Sequence, residues 1–175
     1  MPEFDAFTDR LDPEMCVVTA AVGERREGCL VGFFSQCSIE PVRFTVWLSK
    51  ANHTYEAALV ADCLGVHLLT REQHDLAALF GGECGADIDK FAQVRWTPGH
   101  GGAIVLPDVA AWFVGNVERR LDAGGDHVGF VLEPVQWGGR RQEGPLLRLR
   151  QALDIDPGHP AGQPHRRDPV AENER

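Results

Sequence analysis

The stretch GCLVGFFSQCSIEPVRFTVWLSKANHT, residues 28–54, contains two apolar segments that the pattern predicts as β-strands. The first, residues 29–34, has almost no polar side chain, so we expect it to be buried on both faces. The second covers residues 43–48, and a short loop around residues 40–41 connects the two. Gly32 weakens the first strand, which indicates either a bulge or a ligand that comes close to the backbone.

The second predicted strand leads into a polar cluster at the expected start of a helix. The cluster consists of Ser49, Lys50, Asn52, His53 and Thr54. Free N–H groups at a helix N-terminus, together with a lysine and hydroxyl groups, can bind a phosphate. The alternative is a solvated helix cap, because Asn and Thr are common at that position. An apolar strand could pack against an aromatic ring, and the polar turn could bind a phosphate. Together the two features indicate a nucleotide-like cofactor.

Composition limits the classes of partner. The chain has 175 residues, enough for one domain with a substantial core. Its net charge of −9 argues against nucleic acid and against an anionic membrane, since both require a basic surface. The five cysteines, an odd number, are interpreted as reduced thiols. The acidic N-terminus has no apolar signal-peptide segment, and no apolar run reaches the roughly 18 residues of a membrane helix. We therefore expect a cytoplasmic protein.

The rest of the chain is rich in strand and turn signals. Predicted strands cover residues 15–22, 64–69, 93–96, 103–106, 109–121 and 126–136, and residues 23–28 are predicted as a hairpin loop. Short helices are expected at 54–61, at 76–80 after a capping box at 70–73, and at 87–92. Six or seven strands at this spacing favour a barrel or a sandwich. The dinucleotide fingerprint G-x-G-x-x-G does not occur in the sequence.

The domain organisation follows from changes in composition. Residues 1–14 are interpreted as a lead-in and residues 15–137 as the strand-rich domain. Residues 138–155 form a C-terminal extension, with a small helix predicted at 146–153. Residues 156–175 are polar and rich in proline, and we expect a disordered tail there.

Several short motifs, in this order, resemble the flavin reductase-like family of FMN-binding split barrels. The first matches are Gly28, Ser38, Pro41, Ser49-Lys50 and Thr54. Two further matches follow, Asp89-Lys90-Phe91 and Gly125-Asp126-His127. The resemblance covers roughly residues 10–137. It implies a mainly β split barrel of six to seven antiparallel strands, Greek-key-like, with two or three short inserted helices.

The same resemblance implies where a flavin would bind. The ring would lie along Leu30, Val31, Gly32 and Phe33 and near Cys37 and Ser38. Because hydroxyl residues common in relatives are absent at three of these positions, the backbone would supply most contacts. The phosphate would be held by Ser49, Lys50, Asn52, His53 and Thr54, and Phe91 would close over the cofactor. The alternatives are that residues 30–33 are barrel core and that Phe91 only fastens its own turn.

His127 and Asp126 are the candidate catalytic residues. The G-D-H resemblance implies that His127 stands where a nicotinamide stacks near the flavin, and Asp126 would fix its tautomer. A lone histidine is more often an ordinary surface residue. No metal site is predicted, because His67 and His74 lack ligand spacing, and the hydrolase motif G-x-S-x-G does not occur in the sequence.

The implied function is an FMN (or FAD) oxidoreductase that passes hydride from NAD(P)H to flavin and supplies a partner monooxygenase. A homodimer is expected, with Trp112, Phe113 or Tyr55 contributing to its interface. Two alternatives remain open at this point. One is a split-barrel protein that binds FMN, haem or a deazaflavin without catalysis, and the other is a structural domain whose side chains fill the cavity.

Overall fold

The computed structural model describes residues 2–82, 88–140 and 144–158, and within them the fold is mainly β. Seven strands form one antiparallel sheet: β1 Cys16–Val22, β2 Arg25–Val31, β3 Phe34–Ile39, β4 Val42–Ser49, β5 Cys63–Leu68, β8 Ala111–Asp122 and β9 His127–Gly138. Two short strands, β6 Thr97–Pro98 and β7 Ile104–Val105, pair with each other. The prediction of a mainly β fold with six to seven antiparallel strands is therefore confirmed.

The helices are short and lie between or before the strands. They are α1 Pro2–Thr8, α2 His53–Ala58 and α3 His74–Gly82. Single 3₁₀ turns cover Arg71–Gln73, Lys90–Ala92, His100–Gly102 and Leu149–Gln151. Helix α2 packs on β1 and β2, and α3 packs mainly on β2. Within the described part of the chain, no helix is long and apolar enough to cross a membrane.

The strand order is β2-β1-β5-β8-β9-β4-β3, and it explains why the barrel is open on one side. The two edge strands, β2 and β3, follow each other directly in the chain, and only Gly32 and Phe33 connect them. The sheet curls so that β2 approaches β4. The result is a barrel that stays open between its two edges, with residues 32–33 crossing the opening.

The two largest of the three apolar clusters among the described residues hold the sheet. One lies inside the curled sheet and includes Val18, Leu48 and Phe130. The other includes Val17, Phe80 and Leu147, and lies under α3 and the C-terminal segment. Successive strand residues point to opposite faces, so β1 contributes Val18 to the cluster inside the sheet and Val17 to the cluster under α3. Strand β1 is therefore buried on both faces.

The hairpin predicted at residues 23–28 is present, but its loop is shorter than predicted. The chain turns within two residues, with Gly23 at a φ of 59°, and β2 starts at Arg25. Arg25 and Glu27 pair at 2.9 Å, and charged side chains are well tolerated on an edge strand. The strand predicted at 29–34 is also wrong in extent: β2 ends at Val31, and Phe33 is 59% exposed rather than buried.

Other differences concern short elements. Residues 93–96 do not form a strand, and the strand follows at Thr97–Pro98. In place of a helix at 146–153 there is one 3₁₀ turn, Leu149–Gln151, preceded by isolated bridges at Leu146 and Arg148. The turn predicted at 87–92 begins at Lys90 and is capped by Asp89. The disordered tail was predicted for residues 156–175. Residues 156–158 are described, with the N–H of Gly158 donating to the carbonyl of Gly81 at 3.3 Å, and the rest of that range lies outside the described residues.

Candidate functional site

A cleft of about 480 Å³ opens between β2, β4 and α3, where the barrel is split. Its volume lies within the range of about 300–1,000 Å³ that is typical of small-molecule sites. The lining is mostly apolar, with a few polar groups at one end: Met15, Cys29, Leu30, Val31, Gly32, Phe33, Trp47, Ser49, Asn52, Phe80, Gly81, His127, Leu149, Ala152, Leu153, Ile155 and Pro157.

Trp47 contributes an indole ring to the lining of the cleft. It pairs in register with Gly129 of β9. A Cβ atom at Gly129 would lie 3.0 Å from the indole ring, closer than most side-chain contacts. Glycine at this position therefore lets the indole lie directly against the backbone of β9, and the ring is held at the cleft by two adjacent strands.

The outer edge of β2 forms a second wall. Because β2 pairs only with β1 among the described strands, its outward N–H and C=O groups have no strand partner there. Beyond the strand end, the carbonyl of Phe33 accepts a hydrogen bond from the backbone N–H of Trp47 at 2.9 Å. Gly32 has a packing explanation, since a Cβ there would lie 3.2 Å from Sδ of Met15. The edge thus offers backbone donors and acceptors beside an apolar surface.

Cys29 lies at the bottom of the cleft and is not a nucleophile. Its side chain is buried, and burial raises the pKa of the thiol to about 11. The thiol is therefore protonated at neutral pH.

The polar end of the cleft is built by the ends of β4 and β9. Ser49 and His127 face each other as register partners of these strands. Asn52 is the N-cap of α2, and its Oδ1 accepts a hydrogen bond from the Thr54 N–H at 3.0 Å. Oγ of Ser49 accepts from the N–H of Ala51 at 3.3 Å. A hydroxyl, an amide and an imidazole therefore stand together at one end of an apolar cleft.

His127 is oriented from two sides. Nδ1 of His127 lies 2.8 Å from Oδ1 of Asp126, and the hydrogen bond lowers the pKa of the Asp126 carboxyl. The imidazole ring also packs against Phe33, with ring centroids 5.2 Å apart. Only 28% of the His127 side chain is exposed. The carboxylate favours the tautomer with the proton on Nδ1, which leaves Nε2 as an acceptor.

Lys50 does not line the cleft. Its Nζ forms an ion pair with Asp122 at 2.9 Å, and its backbone N–H donates to the carbonyl of Asp126 at 2.8 Å. The hydrogen bond from Lys50 lowers the pKa of Asp122. The side chain is thus paired with the last residue of β8, beside the polar end of the cleft.

Other predicted site residues lie away from the cleft. Cys37 is exposed and Ser38 half-buried on β3, the far edge of the sheet. Thr54 is buried, and its Oγ1 makes no hydrogen bond within the described residues. His53 stands 3.9 Å from Glu56 on the first turn of α2. The structure thus brings together residues 30–33, Ser49, Asn52 and His127, with Asp126 behind the imidazole.

The motif Asp89-Lys90-Phe91 packs against β2 and α3, two of the elements that form the walls of the cleft. Phe91 is buried and packs edge-on against Phe80, with ring centroids 5.6 Å apart. Lys90 is also buried, and its Nζ donates to the carbonyls of Gly28 at 3.3 Å and Phe80 at 3.4 Å. These contacts connect β2 to α3. Phe91 therefore fastens its turn to the core, which is the alternative considered for it.

Several lining residues of the cleft were not among the residues predicted from sequence, and they include Trp47 and a C-terminal segment. Trp47 was predicted only as a strand residue, although an aromatic residue just before the polar cluster is a usable signal. The C-terminal segment that contributes Leu149, Leu153 and Ile155 carries no comparable signal, since it is about 100 residues from β4 in the chain.

The residues of the cleft fit the flavin that the motif resemblance implies. A planar ring matches the aromatic and aliphatic walls, and its polar edge matches the outer backbone edge of β2, which has no strand partner among the described residues. Ser49 and Asn52 are the donors available for a phosphate. Within the described residues, no cluster of histidine, cysteine or carboxylate side chains is suited to hold a metal ion.

Comparison with known proteins adds independent information. The profile of the Flavin reductase like domain matches residues 9–154. The NADH-dependent FMN reductase AsuE2 of Streptomyces nodosus subsp. asukaensis is 31% identical over 134 residues, covering 74% of this chain and 70% of that protein. HsaB, the reductase subunit of a flavin-dependent monooxygenase of Rhodococcus jostii, is 29% identical over 160 residues, covering 89% and 80%.

A solved structure shows the same fold. The flavin reductase domain protein of Arthrobacter sp. FB24 matches with a TM-score of 0.75 at 22% identity, covering 84% of this chain and 89% of that one. Some relatives are considerably longer. The chain spans 36% and 50% of the length of two further relatives, both from Rhizobium meliloti.

Proposed function

The chain belongs to the flavin reductase-like domain family, and from this premise we propose that it is an NAD(P)H-dependent oxidoreductase that binds FMN, or FAD, in the cleft between β2 and β4. The observation that carries the proposal is the arrangement of the cleft. An apolar trough with the Trp47 indole on one wall ends at Ser49, Asn52 and His127. The similarity to an NADH-dependent FMN reductase supports the same cofactor and donor.

The cleft residues would bind and orient the flavin. Trp47 and Leu30 offer apolar contact to the ring, and the outer backbone edge of β2 offers hydrogen bonds to its polar rim. Ser49 and Asn52 would hold the phosphate. Lys50 would add charge only if its ion pair with Asp122 opened. Cys37, Ser38 and Thr54 have no direct part in this account, since none of them lines the cleft.

A flavin held by Ser49, Asn52 and the backbone edge of β2 would supply the hydride-transfer chemistry with NAD(P)H, so the protein needs no nucleophile of its own. His127 would position the nicotinamide against the ring. Asp126 would hold the imidazole in one tautomer, and the contact with Phe33 would restrict its rotation. The apolar walls would exclude water from the reacting faces.

A monooxygenase is the proposed recipient of the reduced flavin. Support comes from the similarity to HsaB, which is itself a reductase subunit of a flavin-dependent monooxygenase. A cytoplasmic location is part of the proposal, because Cys16, Cys29, Cys37 and Cys63 are free thiols.

A homodimer is also part of the proposal. A second apolar groove, of about 540 Å³, shares no lining residue with the cleft, and its lining includes Phe34, Val42, Phe44, Trp112, Phe113 and Trp137. Trp137 is 73% exposed and Val42 is 46% exposed. Exposed apolar surface of this kind is typical of a protein interface. Tyr55 is not in the groove, since it is half-buried against Phe130.

The proposal is tested by measuring consumption of NADH and NADPH with added FMN. Wild-type protein should catalyse oxidation of at least one of them. Trp47→Leu should raise the FMN dissociation constant about tenfold, because it removes the aromatic wall. Trp96→Leu is the control, since Trp96 stacks under Arg26 and does not line the cleft. FMN binding without turnover of either nucleotide would instead indicate a binding protein.

A further inference from the structure

The segment from residue 146 to residue 158, here termed the C-terminal strap, runs back across the protein and reaches the cleft. Several polar contacts anchor it. Arg148 pairs with Glu14 at 2.6 Å, and the N–H of Arg150 donates to Asp12 at 2.9 Å. Near its other end, Asp154 pairs with His74 of α3 at 2.9 Å. The strap is thus fastened at both ends.

Apolar side chains of the strap then divide into two kinds. Leu147 and Ala152 are buried in the cluster under α3, and Leu149 and Ile155 pack against that cluster. Ile155 lies over Gly81, where a Cβ atom would come within 3.2 Å of it. Leu153 differs from all of these, because it is 71% exposed although it borders the cleft.

We propose that the C-terminal strap is a wall of the flavin site and that Leu153 contacts the flavin ring. The inference rests on the proposed function, since it takes the occupant of the cleft to be a flavin. An exposed leucine held at the rim of an apolar cleft gains most from an apolar, planar occupant that covers it. Anchoring on both sides keeps Leu153 in place, so little ordering is needed when the ring binds.

The position of Leu153 also predicts which part of the ligand it recognises. The proposed phosphate donors, Ser49 and Asn52, lie at the end of β4 and at the cap of α2. The strap lies against α3 and the N-terminal part of the chain instead. Leu153 should therefore contribute equally to the binding of FMN and of riboflavin, which has the same ring and no phosphate.

The experiment measures dissociation constants for FMN and riboflavin by fluorescence titration of full-length protein. Leu153→Ala should weaken both ligands by the same factor, about fivefold, while Leu153→Met should restore most of the affinity. Val60→Ala is the matched control, because Val60 is 66% exposed and does not line the cleft. Thermal unfolding without ligand should be the same for wild type and Leu153→Ala.

The possible failures can be distinguished. If wild-type protein binds FMN but Leu153→Ala binds it equally well, the strap is not part of the site, while the proposed function stands. A loss confined to FMN would contradict the assignment of Leu153 to the ring. If the wild type binds neither flavin, the proposed function and the role of Leu153 are both overturned.

Discussion

Oδ1 of Asp126 lies 2.8 Å from Nδ1 of His127, and this neighbour-to-neighbour hydrogen bond fixes the imidazole at the polar end of the cleft. Because β9 begins at His127, the ring is placed by a regular strand and not by a mobile loop. Asp126 remains ionised over the physiological range, since its hydrogen bond with His127 lowers its pKa. The carboxylate, the imidazole and the phenyl ring of Phe33 therefore form one group of contacting side chains.

The first prediction concerns this group. His127→Ala should raise the KM for NADH about fivefold, within the range expected for one lost hydrogen bond or ring contact. The FMN dissociation constant should change less than twofold, because the histidine is proposed to contact the nicotinamide. Steady-state kinetics and flavin titration measure the two quantities. His100→Ala is the control, since His100 is exposed and lies outside the cleft.

The tautomer adds a finer test. Asp126→Asn keeps an oxygen that can accept from Nδ1 but removes the charge. We expect a smaller rise in KM than for His127→Ala. An unchanged KM in both variants would show that the pair does not position the nicotinamide.

The second prediction uses the ion pair between Lys50 and Asp122, whose charged atoms are 2.9 Å apart. Asp122→Asn should release Lys50 toward the phosphate and strengthen FMN binding about two- to fivefold at low salt, the scale of an exposed ion pair. Riboflavin binding should stay the same, because it carries no phosphate. Titrations with both ligands at two salt concentrations measure the effect.

Two further variants control that experiment. Glu118 lies on β8, as Asp122 does, but outside the cleft. Glu118→Gln breaks its ion pair with Arg43 of β4 and should leave FMN binding unchanged. Lys50→Ala in the Asp122→Asn background should abolish the gain. If the gain persisted without the lysine, it would come from removal of a negative charge alone.

The third prediction concerns stability and pH. His67 is fully buried, where its Nδ1 lies 3.0 Å from the carbonyl of Val17 and its Nε2 accepts from the N–H of Leu106 at 3.1 Å. Burial lowers its pKa from 6.5 to about 4. Since the unfolded chain binds this proton more readily, the contribution is fully present above pH 6.5 and is lost as the pH falls toward 4.

Urea unfolding measures that loss. The free energy of unfolding should fall by about 2 kcal/mol between about pH 7 and about pH 5, at roughly 1.4 kcal/mol per pH unit below the unfolded pKa. His67→Gln should be less stable at neutral pH and should show a flatter pH dependence. His100→Ala should keep the wild-type slope. A wild-type slope in His67→Gln would assign the acid sensitivity to other groups.

The fourth prediction concerns the apolar groove. Trp137→Asp places a charge at a position that is 73% exposed in the single chain and should convert a dimer into a monomer. Sedimentation velocity gives the oligomeric state. Val60→Asp changes an equally accessible apolar residue outside the groove, so it should leave assembly unaffected. A wild-type monomer would contradict the proposed homodimer.

Long periodic segments were the most predictable part of the fold. The strands predicted at 109–121 and 126–136 correspond to β8 and β9 within a few residues. The local pattern of apolar residues is enough to predict such strands, because each apolar side chain packs against neighbours on the sheet. Pairing between Ser49 and His127 could not be predicted in the same way. It depends on the register of strands that are far apart in the chain.

Short elements and long-range contacts were the least predictable. Strand β2 ends at Val31 and β3 begins at Phe34, although the apolar run continues through Gly32 and Phe33. The strand ends there because Phe33 projects outward to the cleft. Lys50 was predicted as a phosphate ligand. In the structure it pairs with Asp122, which lies 72 residues further along the chain and could not be predicted as its partner. The C-terminal strap has only weak local propensity. Its position depends on contacts with residues 9–14 and with α3.

The most direct test of the account is the visible absorption spectrum of the protein with one equivalent of FMN, before and after anaerobic addition of NADH and, separately, NADPH. We predict that the FMN spectrum is perturbed on binding and that the flavin bands bleach rapidly with at least one of the nucleotides. Rapid bleaching should slow in His127→Ala. A perturbed FMN spectrum that persists with both nucleotides would contradict the reductase, and an unperturbed one would contradict the flavin site itself.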